Sequence, residues 1–468
     1  MLRTSWGRSM ARAWRLGAAT LVLLVLGGAW PGTAEAIPLF NRQTGQNCVA
    51  CHAGGQFPEL TAYGRLFKLT GYTIGERTVP VSAMALLSYS KVADTAKSDD
   101  PAADFQKNGK LIFPTASLFL GGKVTDNLGA FVQITYDAYA AQDDAGRFHG
   151  HTNADNIDLR WADRFVDASR DLIVGVSANN NPSVADPWNT AAAWMQYVPV
   201  PSPTSNRFID GNAPYPGFAS GGNVAGLTAY AYWNTMVYGE LGLYGTARGL
   251  ASFMSAGVPD ADMTRLKGAN PYWRLAVNRE WGAHSLMLGT SGMAATIYDD
   301  PQDTSAGSHK YRDFGLDAQY QYLLDPHSVT AQFAYGRNRV VDGDSTRLWR
   351  AKLTYVYQAR YGGSLGLFSL TGDTDPGAID PTRVSGNASG NPATRGWTAE
   401  AFWTPVQYVR LGAQYTGYGK YNGASSNYDG AGRNASDNNT LFLYAWQKFL
   451  DITLSKLYTP KKATKGNH

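Results

Sequence analysis

The residues with the most distinctive chemistry stand near the start of the chain, in the stretch NCVACHAGGQFPEL (47–60). It contains both cysteines of the 468-residue sequence, Cys48 and Cys51, and His52 follows the second directly. Cys-x-x-Cys-His is the attachment signature of a c-type haem, in which each thiol adds to a vinyl group and the histidine becomes an axial ligand of the iron. The spacing predicts one covalently bound haem c, held by these three residues.

Two cysteines at this spacing have three other known uses. A disulfide is chemically allowed in an exported protein, but one that closes so short a loop would add little stability. A thioredoxin-type redox pair belongs to a βαβ unit, which this region lacks. A zinc site would need a second Cys/His pair with suitable spacing nearby, and the sequence offers none. The haem interpretation is favoured, with a disulfide and zinc as the alternatives.

The N-terminus has the layout of an exported protein. Four arginines within the first fifteen residues precede the apolar run LGAATLVLLVLGGAW (16–30), and TAEA (33–36) offers a small-residue cleavage site. This order is typical of a secretory signal peptide, and the apolar run is short for a membrane-spanning helix. We predict a signal peptide over residues 1–36, with an uncleaved N-terminal anchor as the alternative.

Charge and composition narrow the class of protein. Of the 41 Lys and Arg residues 37 remain after residue 36, and of the 37 Asp and Glu residues 36 remain, so the mature net charge is near +1. This balance gives no reason to expect nucleic acid as a partner. Glycine (51) and tyrosine (27) are abundant, and no later stretch approaches the roughly 18 apolar residues of a spanning helix. Such a composition suits a large β protein.

From about residue 80 onward, polar and apolar residues alternate with the period of two that marks a β-strand. In DFGLDAQYQY (313–322), Asp, Gly and Gln fall on one face, and Phe, Leu, Ala and Tyr fall on the other. About sixteen such segments are joined by tight turns, such as KVTDN (123–127), in strict alternation with long polar loops. We predict an all-β fold: a transmembrane antiparallel β-barrel of about sixteen strands over residues 80–449. A soluble immunoglobulin-like or jelly-roll sandwich is the alternative.

Aromatic residues cluster near the ends of the predicted strands. We expect them to form girdles at the two membrane interfaces, although cross-strand aromatic pairs would explain any single residue equally well. They are Tyr136 and Tyr139, Tyr230 and Tyr232, Tyr272 and Trp273, Tyr320 and Tyr322, and Trp397 and Trp403. The last strand is predicted to end at Phe449, which leaves residues 450–468 as a C-terminal tail.

Residues 37–79 do not alternate, and we call this segment the plug. Helical spacing is seen for Leu60, Tyr63, Gly64, Phe67 and Leu69. It predicts one short helix with Pro58 in its first turn and an irregular segment ahead that carries the cysteines. About forty residues cannot support a hydrophobic core alone. A short helical plug carrying a haem c is therefore expected. The sixth iron ligand is not readable: the candidates are Met84, in the first strand, and His149 and His151, in a loop.

The plug sequence is similar to that of a known family. AIPLFNRQTGQNCVACHAGGQFPELTAYGRLFKLTGYT (36–73) resembles the N-terminus of the fused monohaem cytochrome–porins, the outer-membrane iron oxidases of iron-oxidising bacteria. NNNPSVADPWNTAAAW (179–194) and LYAWQKF (443–449) resemble later segments of the same family. The departures are AGGQ (53–56), longer than the usual spacing, Ala62 in place of a common proline, and the tail beyond Phe449.

The resemblance implies an activity and partners. It implies a barrel in the outer membrane of a Gram-negative cell, in contact with lipid, with Cys48 and Cys51 as thioether ligands of one haem c and His52 as the axial ligand of its iron. The activity would be that of an Fe(II)-oxidising cytochrome, an oxidoreductase that takes electrons from extracellular Fe(II) and passes them to a periplasmic cytochrome. The alternatives are the same conduit with another donor or acceptor, a diffusion porin with a structural haem plug, and a soluble haem protein.

Acidic clusters in the predicted loops could attract a hard cation such as Fe(II). The alternative explanation, that surface loops are acidic because charged residues keep them soluble, applies equally well to each cluster. The residues are Asp94, Asp99, Asp100 and Asp104; Asp143 and Asp144; Asp299, Asp300 and Asp303; and Asp373, Asp375 and Asp380.

Overall fold

The computed structural model describes residues 39–55, 58–78, 81–100, 105, 107–142, 147–190, 223–255, 265–341 and 343–449. The predicted signal peptide, residues 1–36, and the predicted tail, residues 450–468, lie outside the described residues. None of the helices within the described ranges is long and apolar enough to cross a membrane.

Sixteen antiparallel strands, counted over the described residues, close into a barrel in which each strand pairs with its neighbours in sequence and β1 pairs with β16. The strands are β1 (Val81–Val92), β2 (Leu111–Lys123), β3 (Leu128–Gln142), β4 (Phe148–Val166), β5 (Asp171–Asn179), β6 (Val224–Trp233), β7 (Val237–Thr246), β8 (Asn270–Trp281), β9 (His284–Tyr298), β10 (Ser308–Leu324), β11 (His327–Val340), β12 (Ser345–Tyr357), β13 (Tyr361–Gly372), β14 (Thr394–Val406), β15 (Val409–Lys420) and β16 (Thr440–Phe449). The predicted fold class is confirmed, and the sandwich alternative is excluded.

The two faces of the barrel wall differ in polarity as the alternation predicts. On β10, Gln319 and Gln321 are 2% and 1% exposed, whereas Phe314 and Leu316 on the other face are 42% and 43% exposed. The polar face points into the lumen, where Gln321 accepts a hydrogen bond from a plug residue. An enclosed polar face and an exposed apolar face reverse the arrangement of a water-soluble β-sandwich, in which apolar side chains form the core.

The connections follow the predicted order with two exceptions. Short turns join the strand pairs at one end, beginning with the turn between Lys123 and Leu128. At the other end, only a few residues separate Gln142 from Phe148 and Val340 from Ser345. The predicted strict alternation of tight turns with long loops is therefore wrong at β3–β4 and β11–β12. There the strand pairing simply continues further, and β4 reaches 19 residues.

Exposed aromatic side chains lie at two heights on the outer face of β14. Trp397 and Trp403 on β14 are both outward and exposed, and they are six positions apart, about 20 Å along a strand. Tyr230, Tyr232 and Tyr272 are buried and face the lumen, so the expectation that they belong to a girdle is wrong. Register decides this, because a shift of one residue moves a side chain to the opposite face.

The plug contains three short helices: α1 (Leu39–Thr44), α2 (Cys48–Cys51) and α3 (Ala62–Leu69). Helix α3 begins four residues after Pro58, so Pro58 does not occupy its first turn; Thr61 caps it by accepting a hydrogen bond from Gly64 N at 3.1 Å. The cysteines lie on α2, so the irregular segment predicted for them is wrong. The one further α-helix among the described residues is α4 (Pro182–Ala185).

Candidate functional site

Two residues of the haem signature, Cys48 and Cys51, lie on one turn of helix, and His52 follows as its C-cap residue in an extended conformation. Cys48 and Cys51 are three residues apart on α2 and therefore share a side of the helix, and neither is part of a disulfide. The backbone N–H of His52 donates to the carbonyl oxygen of Cys48 at 2.8 Å, which closes the turn. Cys48 is buried, and Cys51 and His52 are half-buried. The structure thus brings the predicted ligands into one place.

Helix α3 holds the cysteine turn from its other side. The N–H of Thr61 donates to the carbonyl oxygen of Cys51 at 3.0 Å, and the Thr61 hydroxyl donates to the carbonyl oxygen of Ala50. A Cβ atom at Gly64 would lie 2.1 Å from the Cys51 carbonyl oxygen, so only glycine permits this approach. The position of the signature is therefore set by residues that follow it in sequence.

The barrel wall meets the cysteine turn at the end that carries the short turns. Gln407, between β14 and β15, contacts Cys48 twice: its side-chain oxygen lies 3.5 Å from the Cys48 N, and its carbonyl oxygen lies 3.8 Å from Sγ. A cleft opens beside this contact. Its lining residues are Gly55, Thr404, Gln407, Tyr408, Val409, Arg410, Trp446 and Lys448.

The protonation states suit attachment to a haem. Burial lowers the pKa of His52 to about 3, and the nearby charge of Lys448 acts in the same direction, so the imidazole is neutral at ordinary pH. Neutral imidazole is the form that binds metal. Burial raises the pKa of Cys48, and it raises the pKa of Cys51 to about 11 with a further contribution from Cys48. Thiols in this state are not the activated thiolates of a catalytic cysteine.

The groups that the cysteine turn offers match those that a c-type haem needs. Two cysteines outside any disulfide, one turn apart and followed by a neutral imidazole, are the groups that covalent haem attachment requires. Among the described residues no group of three or more His, Cys, Asp or Glu side chains is placed to hold a metal ion. The residues fit a c-type haem, and the part of the chain that the structure describes offers no zinc-type ligand set.

Two ion pairs fix the plug to strands β8 and β12 of the barrel wall. Glu59 is buried and accepts a bond from Lys352 Nζ on β12 at 3.1 Å. Arg65 on α3 pairs with Glu280 on β8 at 2.6 Å, and its other terminal nitrogen donates to Gln321 on β10 at 3.1 Å. Because these contacts radiate from one short segment, they fix its orientation as well as its depth.

A third contact joins the plug to a segment folded into the lumen, residues 180–190, which we call the inner segment. Lys68 on α3 donates to the carbonyl oxygen of Asp186 at 2.7 Å and to Asn189 Oδ1 at 2.8 Å. The Asp186 carboxylate in turn forms an ion pair with Arg274 on β8 at 3.1 Å, and Arg274 pairs with Asp317 on β10 at 2.8 Å. The plug is thus bonded to the inner segment, and the inner segment is bonded to the barrel wall.

The last residues of the plug are held through Tyr72. Its hydroxyl donates to Asp158 Oδ2 on β4 at 2.6 Å, and Asp158 also pairs with Arg160 at 2.8 Å. Burial raises the pKa of Tyr72 well above its ordinary value, so the phenol stays protonated and keeps donating. The polar residues that make the plug sequence distinctive thus contact the wall or the inner segment.

The sequence candidates for the sixth iron ligand lie in different parts of the barrel. Met84 faces the lumen and packs with Leu86, Phe442, Tyr444 and Trp446, a cluster that borders the cleft through Trp446. His149 and His151 lie at the start of β4, at the end opposite its short turn. The structure therefore places the two histidines at the other end of the barrel from the cysteine turn.

The described loop aspartates bind loop residues: Asp300 and Asp375 bind within their own loops, and Asp99 joins the β1–β2 loop to the β13–β14 loop. Asp99 pairs with Arg383 at 3.1 Å, Asp375 accepts from Gly377 N at 2.7 Å, and Asp300 accepts from Gln302 N at 2.7 Å. Asp104, Asp143 and Asp144 lie outside the described residues. These contacts support the alternative explanation of the acidic clusters, in which the aspartates stabilise the loops and keep them soluble.

Gln407, Arg410 and Lys448 were not singled out from the sequence, although they border the signature. They belong to the last three strands and their turns, and nothing in the sequence links these positions with Cys48. The one sequence feature that could have indicated them is their polarity: Arg410 and Lys448 are charged residues within predicted strands, and Gln407 carries an amide in a predicted turn.

The overall architecture is similar to that of several solved structures. OmpF of Salmonella typhi in complex with daunomycin is 11% identical and covers 79% of this chain and 97% of its own, with a TM-score of 0.46. OprB of Pseudomonas putida, in its high-pH structure, is 10% identical over 79% of this chain and 94% of its own, with a TM-score of 0.47. The outer membrane channel DcaP of Acinetobacter baumannii is 11% identical over 79% and 96%, with a TM-score of 0.43. No family model and no curated protein matches the sequence. The barrel assignment rests on the strand pairing itself.

Proposed function

We propose that this chain is an outer-membrane electron-transfer protein in which one c-type haem, attached at Cys48 and Cys51 with His52 as an axial ligand, is carried by a plug inside a porin-like barrel. The observation that carries the proposal is the position of the Cys-x-x-Cys-His turn, clamped between α3 and the β14–β15 turn. A redox attachment site and a closed barrel are thereby parts of one folded unit.

The outer surface supports a membrane location. Exposed leucines such as Leu241, Leu365 and Leu367 lie on the outward face, together with exposed aromatic residues such as Trp397 and Trp403. An apolar band between aromatic girdles, with a polar lumen, is the design of outer-membrane barrels. Together with the predicted signal peptide, these features support export to a Gram-negative outer membrane and contact with its lipid.

The position of the cysteine turn in the barrel indicates the side of the membrane on which electrons would leave. When bound, the haem supplies a one-electron couple. The cysteine turn lies at the end with the short turns, and in outer-membrane barrels short turns face the periplasm. We therefore propose a periplasmic cytochrome as the acceptor. As in the family that residues 36–73 resemble, the proposed donor is extracellular Fe(II), which makes the chain an Fe(II)-oxidising cytochrome. The same conduit with another donor remains the alternative.

A diffusion porin with a structural haem plug is the second candidate, supported by the porin-like barrel. The contacts that the plug makes inside the lumen argue against a diffusion porin. The plug and the inner segment both occupy the lumen and are joined through Lys68, so the described part of the pore is obstructed by ordered, hydrogen-bonded structure. Single-channel conductance in planar bilayers would favour the porin, and redox turnover without conductance would favour electron transfer.

The test uses the full chain expressed together with a cytochrome c maturation system. Outer membranes are assayed for covalent haem by the pyridine haemochrome spectrum, and Fe(II) is then added to intact cells while the reduced-haem absorbance is followed. The control is the double variant Cys48→Ala/Cys51→Ala. We expect covalent haem that Fe(II) reduces in the wild type, and none in the control.

Two results would contradict the proposal at different levels. Covalent haem that Fe(II) does not reduce would exclude iron as the donor while leaving the electron-transfer architecture. A wild-type chain with no more haem than the double cysteine variant would overturn the haem assignment itself.

A further inference from the structure

Four arginines point outward from three neighbouring strands at the loop end of the barrel. Arg312 lies near the start of β10, Arg337 and Arg339 near the end of β11, and Arg347 near the start of β12. Each stands an even number of positions from an exposed apolar or aromatic residue of its own strand, as Arg312 does from Phe314, so all four belong to the outward face. We call these four residues the arginine cluster.

Strand pairing sets the arginines of the cluster against one another. Arg312 is directly opposite Arg339 across β10 and β11. Arg337 is directly opposite Arg347 across β11 and β12. The Cβ atoms of directly opposed residues lie about 4.5–5.5 Å apart, and residues two positions apart on one strand, as Arg337 and Arg339 are, lie about 7 Å apart. Like charges at these distances repel each other and destabilise the sheet, and an anion bound between them would offset the repulsion.

The carboxylate of Asp373, in the loop after β13, lies near the cluster. It accepts hydrogen bonds from the backbone N–H of Ser345 at 2.9 Å and from the Ser345 hydroxyl at 3.0 Å. These bonds lower the pKa of Asp373, and the charges of Arg347 and Arg337 act in the same direction. The carboxylate thus offsets part of the charge of two arginines, and the four arginines and this carboxylate together keep a net positive charge.

The cluster lies directly beyond the apolar band of the outer surface. On β12 the outward residues that follow Arg347 include Trp349, Leu353 and Tyr355, which are 39%, 49% and 43% exposed. Trp349 and Tyr355 are six positions apart, about 20 Å along a strand, which is comparable with the height of the apolar band of an outer-membrane barrel. Arg347 is the next outward position beyond Trp349 at the loop end, and the loops of these barrels face the outside of the cell. The arginine cluster is therefore at the level of the lipid headgroups of the outer leaflet.

We infer that the arginine cluster is a binding site for the phosphate groups of lipid A, the phosphorylated glycolipid anchor of lipopolysaccharide in the outer leaflet. The guanidinium group is planar and can donate two parallel hydrogen bonds to one phosphate. Clusters of basic residues at a membrane surface bind anionic headgroups through the same charges. The aromatic and apolar residues next to the cluster would contact the acyl chains. The inference rests on the outer-membrane location within the proposed function, and it does not depend on the haem.

The test measures binding of lipid A to the full chain, purified in detergent, by native mass spectrometry of the folded protein over a range of lipid concentrations. The variants Arg337→Gln/Arg347→Gln and Arg312→Gln/Arg339→Gln each remove one opposed pair. Because charge-assisted hydrogen bonds are lost, we expect both variants to bind lipid A at least about tenfold more weakly than the wild type. Binding as tight as that of the wild type in both variants would overturn the inference.

The matched control is Arg164→Gln/Arg170→Gln. Arg164 pairs with Asp171 at 2.7 Å and Arg170 pairs with Asp167 at 3.1 Å, both at the short-turn end, so the variant makes the same change in net charge at the opposite end of the barrel. Its binding of lipid A should equal that of the wild type. Equal weakening in the control and in the cluster variants would count against a specific site, because net charge alone would explain both.

Two further probes show which part of the lipid is bound. Lipid A from which both phosphates have been removed should bind the wild type at least about tenfold more weakly, since the charged acceptors are gone. Equal binding would assign the contact to the acyl chains and overturn the inference. Inorganic phosphate at the same phosphate concentration should leave lipid A bound. Displacement by inorganic phosphate would show a site for the free ion and would equally overturn the assignment to the lipid.

Thermal unfolding shows whether the arginines serve the lipid or the fold. Without lipid A, Arg337→Gln/Arg347→Gln removes a repulsion, so its unfolding midpoint should equal or exceed that of the wild type. Added lipid A should raise the midpoint of the wild type more than that of the variant. A midpoint below that of the wild type without lipid A would assign these arginines a structural role and contradict the inference.

Haem separates failure of this inference from failure of the proposed function. The variant Cys48→Ala/Cys51→Ala should bind lipid A as the wild type does. A wild-type chain with haem that Fe(II) reduces but without affinity for lipid A would overturn the inference and leave the proposed function standing. A chain that binds lipid A but carries no covalent haem would do the reverse.

Discussion

The side-chain nitrogen of Lys68 lies 2.7 Å from the backbone carbonyl oxygen of Asp186 and joins the plug to the inner segment across 118 residues of sequence. Lys68 is only 6% exposed, although it carries a charge. Its second acceptor is Asn189, and Asp186 is itself tied to the wall through Arg274. A single lysine thus connects the helix that supports the cysteine turn with the segment that narrows the lumen.

Replacing Lys68 with methionine should loosen this connection. The Asp186 carbonyl and the Asn189 amide would lose a charged donor inside the lumen, at a cost of about 1.5–3 kcal/mol in the free energy of unfolding. We expect a lower unfolding midpoint and bursts of conductance in planar bilayers. Lys97→Met is the control, because Lys97 forms a partly exposed pair with Asp437 that is worth at most about 1 kcal/mol. Equal midpoints for both variants would contradict the prediction.

The same lysine should contribute to the pH dependence of stability. Burial lowers the pKa of Lys68 from 10.5 to about 8, with the charge of Arg160 as the next cause. Between these values the unfolded chain holds a proton that the folded chain has released, so stability should rise with pH from about 8 to about 10.5, by about 1.4 kcal/mol per pH unit. Other groups titrate in this range, so the measured quantity is the difference between wild type and Lys68→Met. Parallel pH profiles would exclude this contribution.

Gly64→Ala should disturb the haem signature without touching its residues. The added Cβ would lie 2.1 Å from the Cys51 carbonyl oxygen, a distance that forces α3 away from the cysteine turn. We expect several-fold less covalent haem, measured by haem-stained gels against total protein. Gly239→Ala on β7 is the matched control, since its nearest atom would be Leu275 Cδ2 at 3.6 Å, an ordinary contact. Full haem loading of the Gly64 variant would contradict the geometry described for α2 and α3.

A substitution on the outer face should distinguish a membrane barrel from a water-soluble one. Leu365 on β13 is 64% exposed, and Ile379 in the following loop is 49% exposed. In a membrane, Leu365→Arg is expected to cost about 2–4 kcal/mol if the residue lies near the bilayer midplane, whereas Ile379→Arg should be nearly neutral. In water both changes would stay within about 0.5 kcal/mol. Urea titrations of the barrel folded in lipid vesicles measure the difference, and equal stabilities would argue against the membrane location.

The loop aspartates offer a test of where iron is attracted. Asp300 accepts from Gln302 N and Asp303 accepts from Ser305 N, and asparagine can accept the same bonds. We expect Asp300→Asn and Asp303→Asn, singly and together, to leave the rate of Fe(II)-driven haem reduction in intact cells unchanged within twofold. A drop of tenfold or more would show instead that these carboxylates act on the iron.

Several features of this protein could be predicted because they depend on neighbours in sequence. The alternation that makes Gln319 and Phe314 face opposite ways is a property of any extended chain, and it holds whatever the strand pairs with. The Cys-x-x-Cys-His spacing likewise keeps the three candidate ligands within five consecutive residues, although the helical turn that carries the two cysteines was not predicted. The strand count and the candidate haem ligands follow from such local rules.

The surroundings of the site were decided by the closed barrel and the docked plug. Gln407 contacts Cys48 from 359 residues away, and Lys448 borders the cleft because β16 pairs with β15 beside the turn that contacts Cys48. The lumen-facing positions of Tyr230 and Tyr232 were misassigned for a related reason, since register is set by pairing partners rather than by the strand itself. Composition and spacing determine that a barrel and a haem signature exist. Which charges surround the signature depends on contacts between distant segments, and these form only when the whole chain has folded.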